Sequence, residues 1–216
     1  MLEPGEGISR VFKIPVIKAG EYRIIASYNG MDNAIKAEEI KLTVADDKDV
    51  EGLVAVLQTS MGNITFRFYP DDAPDTVINF INLARKGFYN GLVFHRVVPN
   101  FVIQAGCPNS DGSGGPGYNI PAEFNKRSHL KGIVSMARKP DNVDSANSQF
   151  FICLQDVTRL DGLYAAFGEV IQGQDVVDAI GKVETTGSKP KEGMIPDKPL
   201  KDVVIQRVTI EVRHKK

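Results

Sequence analysis

Residues 94–106 read FHRVVPNFVIQAG. Valines, phenylalanines and an isoleucine, broken at Pro99-Asn100 and closed by Gly106, mark two short β runs. They also set one guanidinium, Arg96, among apolar side chains. In a strand with alternating sides, Phe94, Arg96 and Val98 point one way and His95, Val97 and Pro99 the other, so Arg96 is expected to share a face with apolar groups. On this stretch alone two explanations stand open. Arg96 snorkels or pairs with a carboxylate such as Glu123, or it serves a binding site.

The flanking chain is read by the same periodicities. LVAVLQTSMGNITFRFYP (53–70) predicts a hairpin: Leu53, Ala55 and Leu57 alternate with Val54, Val56 and Gln58, Gly62 lies in the turn, and Ile64, Phe66 and Phe68 share a face. A helix follows, with Pro74 in its first turn and Asp71, Asp72 and Asp75 at its positive end. Val77, Phe80, Ile81 and Ala84 form its apolar stripe, and Gly87 stops it. Short β runs recur near 93–98, 101–105, 132–136, 149–153, 165–171 and 202–212, with a second, short helix near 174–181. Many short strands with two separated helices predict a mainly β chain, a closed or nearly closed barrel plugged by helices.

Upstream, ISRVFKIPVI (8–17) and AGEYRIIASYNG (19–30) continue the β pattern, and the charged run from Ala45 to Gly52 reads as a linker. The predicted division is a β-rich segment over 1–50 and a main domain over 51–214. The fragment AGEYRIIASYNG followed by a strand ending in LTV resembles the last strands of bacterial immunoglobulin-like modules and covers too little chain for a whole sandwich.

Composition narrows the function classes. The 216 residues carry 26 Lys+Arg and 27 Asp+Glu, a net charge of -1, so no global field draws the protein to nucleic acid or an anionic membrane. No apolar run approaches a membrane span, and MLEPGEGISR has neither a basic start nor an apolar stretch of an export signal. The expected compartment is the cytoplasm, with a periplasmic or extracytoplasmic one as the alternative if the N-terminal strands are the tail of a longer module. Cys107 and Cys153 are expected to be free thiols.

Several suggestive patterns have plainer readings. Gly112-x-Gly114-x-x-Gly117 matches a dinucleotide fingerprint by letters, but Pro116 lies inside it and YNIP follows, so no helix start is on offer for a pyrophosphate. The loop is expected to be a surface turn. His95, His129 and His214 form no ligand pair, so no metal is expected, and His95 is read as a packed or hydrogen-bonded strand residue. Ser145 and Ser148 lack a nucleophile elbow and are read as turn and cap serines. The sequon Asn63-Ile64-Thr65 falls in the hairpin and is treated as accidental.

A second stretch favours a site at Arg96. SANSQFFICL presents Gln149 and Phe151 on one face, and FVIQAG presents Val102 and Gln104 on one face, with Phe101 opposite unless the chain bends after Pro99. Rings and amides without a titratable base suit an extended peptide with an apolar side chain, and they do not abstract protons.

FHRVVPNFVIQAG, SANSQFFI and RLDGLYAAFGEV together resemble the cyclophilin-type peptidyl-prolyl cis-trans isomerases. The strings F-H-R-x-x-x-x-F-x-x-Q-x-G, S-Q-F-F-I and L-D-G-x-x-x-x-F-G stand in the family's order, and the similarity runs from about residue 53 to 212. The resemblance implies an eight-stranded antiparallel barrel capped by two helices, with no cofactor; a monomer is expected. Its outer groove would take proline-containing peptides or unfolded protein segments. It implies that Arg96 is the catalytic arginine and that Phe101, Val102, Phe151 and Leu160 wall the proline pocket, Val102 standing where the family more often has methionine. Gln104 and Gln149 resemble the amides that hold the substrate backbone, and Ala137 with the backbone of Arg138 the edge that takes the residue before proline. Arg159 departs from a common tryptophan that contributes to cyclosporin binding. Tyr164 at the rim departs from a common histidine, and keeps a polar-tipped ring there.

Overall fold

The computed structural model describes residues 20–24, 40–44 and 52–213. Backbone contacts divide the chain into two compact units, Met1–Asp49 and Val50–Lys216. In the first, β1 (Gly20–Ile24) pairs antiparallel with β2 (Ile40–Val44). The β run predicted over 8–17 and the rest of the immunoglobulin-like comparison lie outside the described residues.

In the second unit eight strands form one antiparallel sheet. They are β3 (Leu53–Thr59), β4 (Gly62–Phe68), β5 (Arg96–Val98), β6 (Val102–Ala105), β7 (Ile133–Met136), β8 (Phe150–Cys153), β9 (Ala166–Gln172) and β10 (Ile205–Val212). Their order is β10-β3-β4-β9-β7-β8-β6-β5. Among the described residues no continuous ladder joins the end strands β5 and β10, so the sheet is curled and the expected full closure is not made by strand pairing. The gap is spanned instead by single bonds just before β5: Gly91 N–H to Ile205 O (2.8 Å), Ile205 N–H to Leu92 O (2.7 Å) and Phe94 N–H to Val203 O (2.9 Å). These satisfy backbone groups that an open sheet would otherwise leave at an edge.

The predicted hairpin forms as β3–β4, with Leu57 opposite Ile64 and Ala55 opposite Phe66. Its inward side chains Ala55, Leu57, Ile64 and Phe66 are fully buried. Helix α1 (Pro74–Arg85) follows and buries Val77, Phe80, Ile81 and Ala84. Phe80 stacks on Tyr89 (4.8 Å between centroids) and meets Phe66, Phe150 and Phe167 edge-on or tilted. Such aromatic pairs each add about 0.5–1.5 kcal/mol beyond the area they bury. The aspartates expected at the helix start do not cap it. Residue 73 at the cap position is Ala, and the carboxylate of Glu123 accepts from the backbone N–H of Asp75 (3.0 Å) and Thr76 (2.7 Å). Helix α2 (Gln174–Ile180) buries Val177 and Ile180 in the same core.

A second apolar layer lies on the other face of the sheet. Val102, Ile133, Phe151, Cys153 and Ala166 project outward and are covered by Tyr69, Val157 and Leu160, with Phe101, Ala137 and Tyr164 packed against them. The two-residue strand period separates the faces: Phe150 and Ile152 face inward, Phe151 and Cys153 outward.

Candidate active site

One row of residues runs across four neighbouring strands on the outer face. Arg96 of β5 lies opposite Gln104 of β6, Gln104 opposite Phe151 of β8, and Phe151 opposite Ser135 of β7. Beside it, Val98 pairs with Val102 and Val102 with Cys153. The row floors a cavity of about 160 Å³ lined by Arg96, Phe101, Val102, Gln104, Ala137, Arg138, Phe151, Leu160 and Tyr164. Of the residues the resemblance assigns to catalysis or substrate binding, Gln149 alone is not in the lining, and its Oε1 accepts from Gln104, which is.

Phe101 reaches this face by a bend. Asn100 adopts a left-handed backbone (φ 58), and Phe101 N–H closes a turn on Val98 O (3.1 Å). The alternation that set Phe101 opposite Val102 is reset there, and both rim the cavity. Phe94 is a correction of another kind. It lies in the inner core with Val97, ahead of the first residue of β5, and does not share the face of Arg96.

A chain of hydrogen bonds stiffens the polar wall. Arg96 Nη1 donates to Gln104 Oε1 (3.5 Å), Gln104 Nε2 to Gln149 Oε1 (3.1 Å), and Gln149 Nε2 to the carbonyls of Gly112 and Gly114 (both 2.9 Å). The glycine-rich loop therefore anchors the amide pair. Its letters carried no sign of that role, because the partners are backbone oxygens and the contact spans 35 residues or more. Gln149 is also set by its backbone, whose carbonyl accepts from Ala137 N–H (2.9 Å). Close approach at Gly106 completes the junction: with φ 89, any Cβ there would drive into the Ser148 carbonyl oxygen.

Beneath Phe151 lies a polar cluster that the sequence did not reveal. The ring of His129 stacks on Phe151 (6.0 Å between centroids, 22° between planes). Its Nε2 lies 3.0 Å from Ser135 Oγ and its Nδ1 3.0 Å from Asp161 Oδ1, and its backbone N–H also donates to Asp161 (2.7 Å). Ser135 and His129 are completely buried, so this serine–histidine–aspartate set cannot meet a substrate as a nucleophile would. It supports the ring. Burial pushes the His129 imidazole below its usual range against the opposing pull of Asp161, while the His129 backbone N–H holds the Asp161 carboxyl below the ordinary carboxylate value. The serines weighed from the sequence are structural as read. Ser145 Oγ donates to Asn142 O (2.6 Å) and Ser148 Oγ to Gly106 O (2.8 Å).

Arg96 does not pair with Glu123, which is occupied at the start of α1. Its carboxylate neighbour is Asp197, with Oδ2 3.7 Å from Nε, in a segment that carried no motif. His95, next to it, turns to the opposite side and is buried, with neither ring nitrogen hydrogen-bonded among the described residues. Burial, reinforced by the charge of Arg96, lowers its pKa to about 4. At the rim, Arg159 lies over the Phe101 ring (4.4 Å) and Arg138 over Tyr164 (4.9 Å), and Arg138 Nε donates to Leu163 O (3.0 Å). These two guanidiniums hold the rings that wall the pocket.

A larger recess of about 240 Å³ is lined by Arg67, Phe68, Tyr69, Pro70, Asp71, Asp72 and Arg127. Both of its arginines are already paired: Arg67 with Glu169 (2.6 Å) and Arg127 with Asp72 (2.8 Å). Tyr69 also donates to Glu169 (2.8 Å), and burial with that bond raises its pKa to about 12. The smaller cavity, with apolar walls and an arginine at its edge, is the better site for a substrate.

Comparison with known proteins agrees with the geometry. The family model for cyclophilin type peptidyl-prolyl cis-trans isomerase matches residues 54–210. The chain belongs to that family. It is 42% identical over 154 residues to a peptidyl-prolyl cis-trans isomerase of Helicobacter pylori, covering 69% of this chain and 91% of the relative. It is 50% identical over 115 residues to one of Synechococcus elongatus, covering 53% and 78%. Among solved structures, a cyclophilin-type isomerase of Cryptosporidium parvum, crystallised in the presence of the dipeptide Ala-Pro, matches with a TM-score of 0.66 at 26% identity. That match covers 76% of this chain and 99% of the other. In this cyclophilin the outer-face cavity therefore belongs to a chain whose relatives isomerise Xaa-Pro bonds, and membership accounts for the eight-stranded sheet with two helices.

Proposed function

We propose that the cavity on the outer face catalyses rotation about Xaa-Pro bonds in unfolded or loop segments of other proteins, with Arg96 as the catalytic donor. The observation that carries this reading is the guanidinium of Arg96, at the end of a strand row, beside the rings and aliphatic side chains of a cavity that no carboxylate, imidazole or thiol lines among the described residues. The peptide C–N bond resists rotation by about 18–20 kcal/mol because of resonance. In the twisted transition state that resonance is lost and the proline nitrogen regains a lone pair. A fixed donor directed at that nitrogen binds the transition state better than the ground state, which is what acceleration requires. Phe101, Val102, Phe151 and Leu160 would seat the ring, and Gln104 with the backbone at Ala137–Arg138 would hold the flanking chain while the preceding carbonyl turns. Gln149 acts through Gln104. The pairing of Gly20–Ile24 with Ile40–Val44 supports reading the first fifty residues as an appended β module of the immunoglobulin-like kind.

The test is isomerisation of an Ala-Pro peptide followed by protease coupling or NMR exchange. The intact protein accelerates it, and Arg96→Ala lowers kcat/KM about a hundredfold or more while peptide still binds. An uncatalysed rate with intact peptide binding would instead mark a proline-peptide binding module.

A further inference from the structure

Asp197 lies in the segment between α2 and β10, outside every motif that marks the family. Its backbone occupies the left-handed region (φ 56), a conformation that costs most residues free energy and that Asp and Asn tolerate best after Gly. It is pinned on both sides: its N–H donates to Gly187 O (2.9 Å), and its carbonyl accepts from the N–H of Val97 (2.8 Å). Val97 follows Arg96 in β5. The turn is thus fastened to the strand that carries the guanidinium, and it delivers a carboxylate to it. Asp197 Oδ2 stands 3.7 Å from Arg96 Nε, with 13% of the Asp197 side chain exposed against 38% of Arg96. The shielded member is the acid.

We propose that Asp197 is a positioning residue for the isomerase reaction, holding the Nε edge of Arg96 while Gln104 Oε1 meets Nη1 (3.5 Å) from the other side. An arginine has four side-chain torsions and, at the edge of a cavity, swings readily into solvent. Two anchors on different edges of the planar guanidinium fix its plane and leave the remaining N–H groups directed into the pocket. The separation of 3.7 Å is that of an ion pair and not of a direct hydrogen bond, so the acid orients the charge without consuming the donor the reaction uses. The arrangement rests on Arg96 being the donor. It explains why a non-glycine residue is kept in a left-handed turn here, since glycine would relieve the backbone and lose the carboxylate.

The decisive variant is Asp197→Asn, which keeps the shape and the tolerance of a left-handed backbone and removes only the charge. In the intact protein we expect kcat/KM for an Ala-Pro peptide to fall about tenfold, carried by kcat. KM is expected to stay within about twofold, and thermal stability near that of the parent. The Arg96 Nε–H resonance should shift. In an Arg96→Ala background the same substitution should have no further effect, because its action passes through the guanidinium. An Asp197→Asn protein with parental kcat and an unmoved Arg96 resonance would overturn the proposal, as would a loss of equal size in the Arg96→Ala background. If the intact protein accelerates no Xaa-Pro peptide, the catalytic reading falls and this one with it. Acceleration indifferent to Asp197→Asn removes this one alone.

Discussion

At the scale of single residues, His95 shows how a site is built from both sides of a strand. Arg96 faces the cavity, and His95 is buried behind it with two ring nitrogens unpartnered among the described residues and a pKa lowered from 6.5 to about 4 by burial and by the neighbouring cation. The other charged groups about it are Asp111, which opposes the shift, and Lys198, which adds to it. Above a pH of about 4 the fold keeps the imidazole neutral, whereas the unfolded chain takes up a proton below about pH 6.5. Stability contributed by the neutral form is therefore complete above that pH and declines as pH falls toward 4, by on the order of 3 kcal/mol. His129, also lowered, acts in the same direction. We expect urea midpoints measured from pH 7 to pH 4.5 to fall, and His95→Phe to flatten that slope. An unchanged slope in His95→Phe would assign the acid sensitivity elsewhere. Arg96→Lys belongs to this scale too. It keeps the charge and loses the planar fork that meets Gln104, so kcat/KM should lie between parent and Arg96→Ala in the same peptide assay.

At the scale of elements, the site depends on junctions more than on strands. Gly106 follows directly on β6, and the segment Ser148–Gln149 that leads into β8 crosses it so closely that a side chain at 106 would meet the Ser148 carbonyl. The same crossing places Gln149 behind Gln104. Gly106→Ala adds both a clash with backbone and an unfavourable positive φ, so a loss of about 2–4 kcal/mol is expected in chemical denaturation. Peptide turnover should fall as well, because the amide pair shifts. Full retention of both would mean that the crossing relaxes without cost. The start of α1 carries a related lesson. Its cap comes from Glu123, 47 residues beyond Thr76, and not from the aspartates adjacent to it. Composition near a helix end marks where the helix starts; it does not say which group satisfies the free N–H groups.

At the scale of the whole molecule, every residue of the cavity and of its supporting cluster lies within the unit Val50–Lys216. That unit holds its own core and its own sheet. A chain starting at Val50 is therefore expected to fold and to keep kcat/KM for a short Ala-Pro peptide within about twofold of the full protein. A large loss on removing residues 1–49 would show that they contribute to the pocket or its stability.

Within residues 53–212 the strand runs, both helices and the inward and outward rows followed from local periodicity, Phe94 and Phe101 excepted, and three short strings of residues carry the family's pattern. Those features are local: a two-residue alternation or a fixed spacing along one strand is set by backbone geometry and shows in the letters. The partners of Arg96, the support of Phe151 by His129, Ser135 and Asp161, and the anchoring of Gln149 by the glycine loop are not local. Each joins side chains or carbonyls from separate segments, and a lone Asp197 or His129 in the sequence carries no mark of the neighbour it will meet. The sequence by itself determined the residue types available to the site and which face of each strand they take. Only the tertiary structure decided which charge meets which, because the folded chain sets the turn at Asp197 on β5 and the glycine loop against Gln149, just before β8.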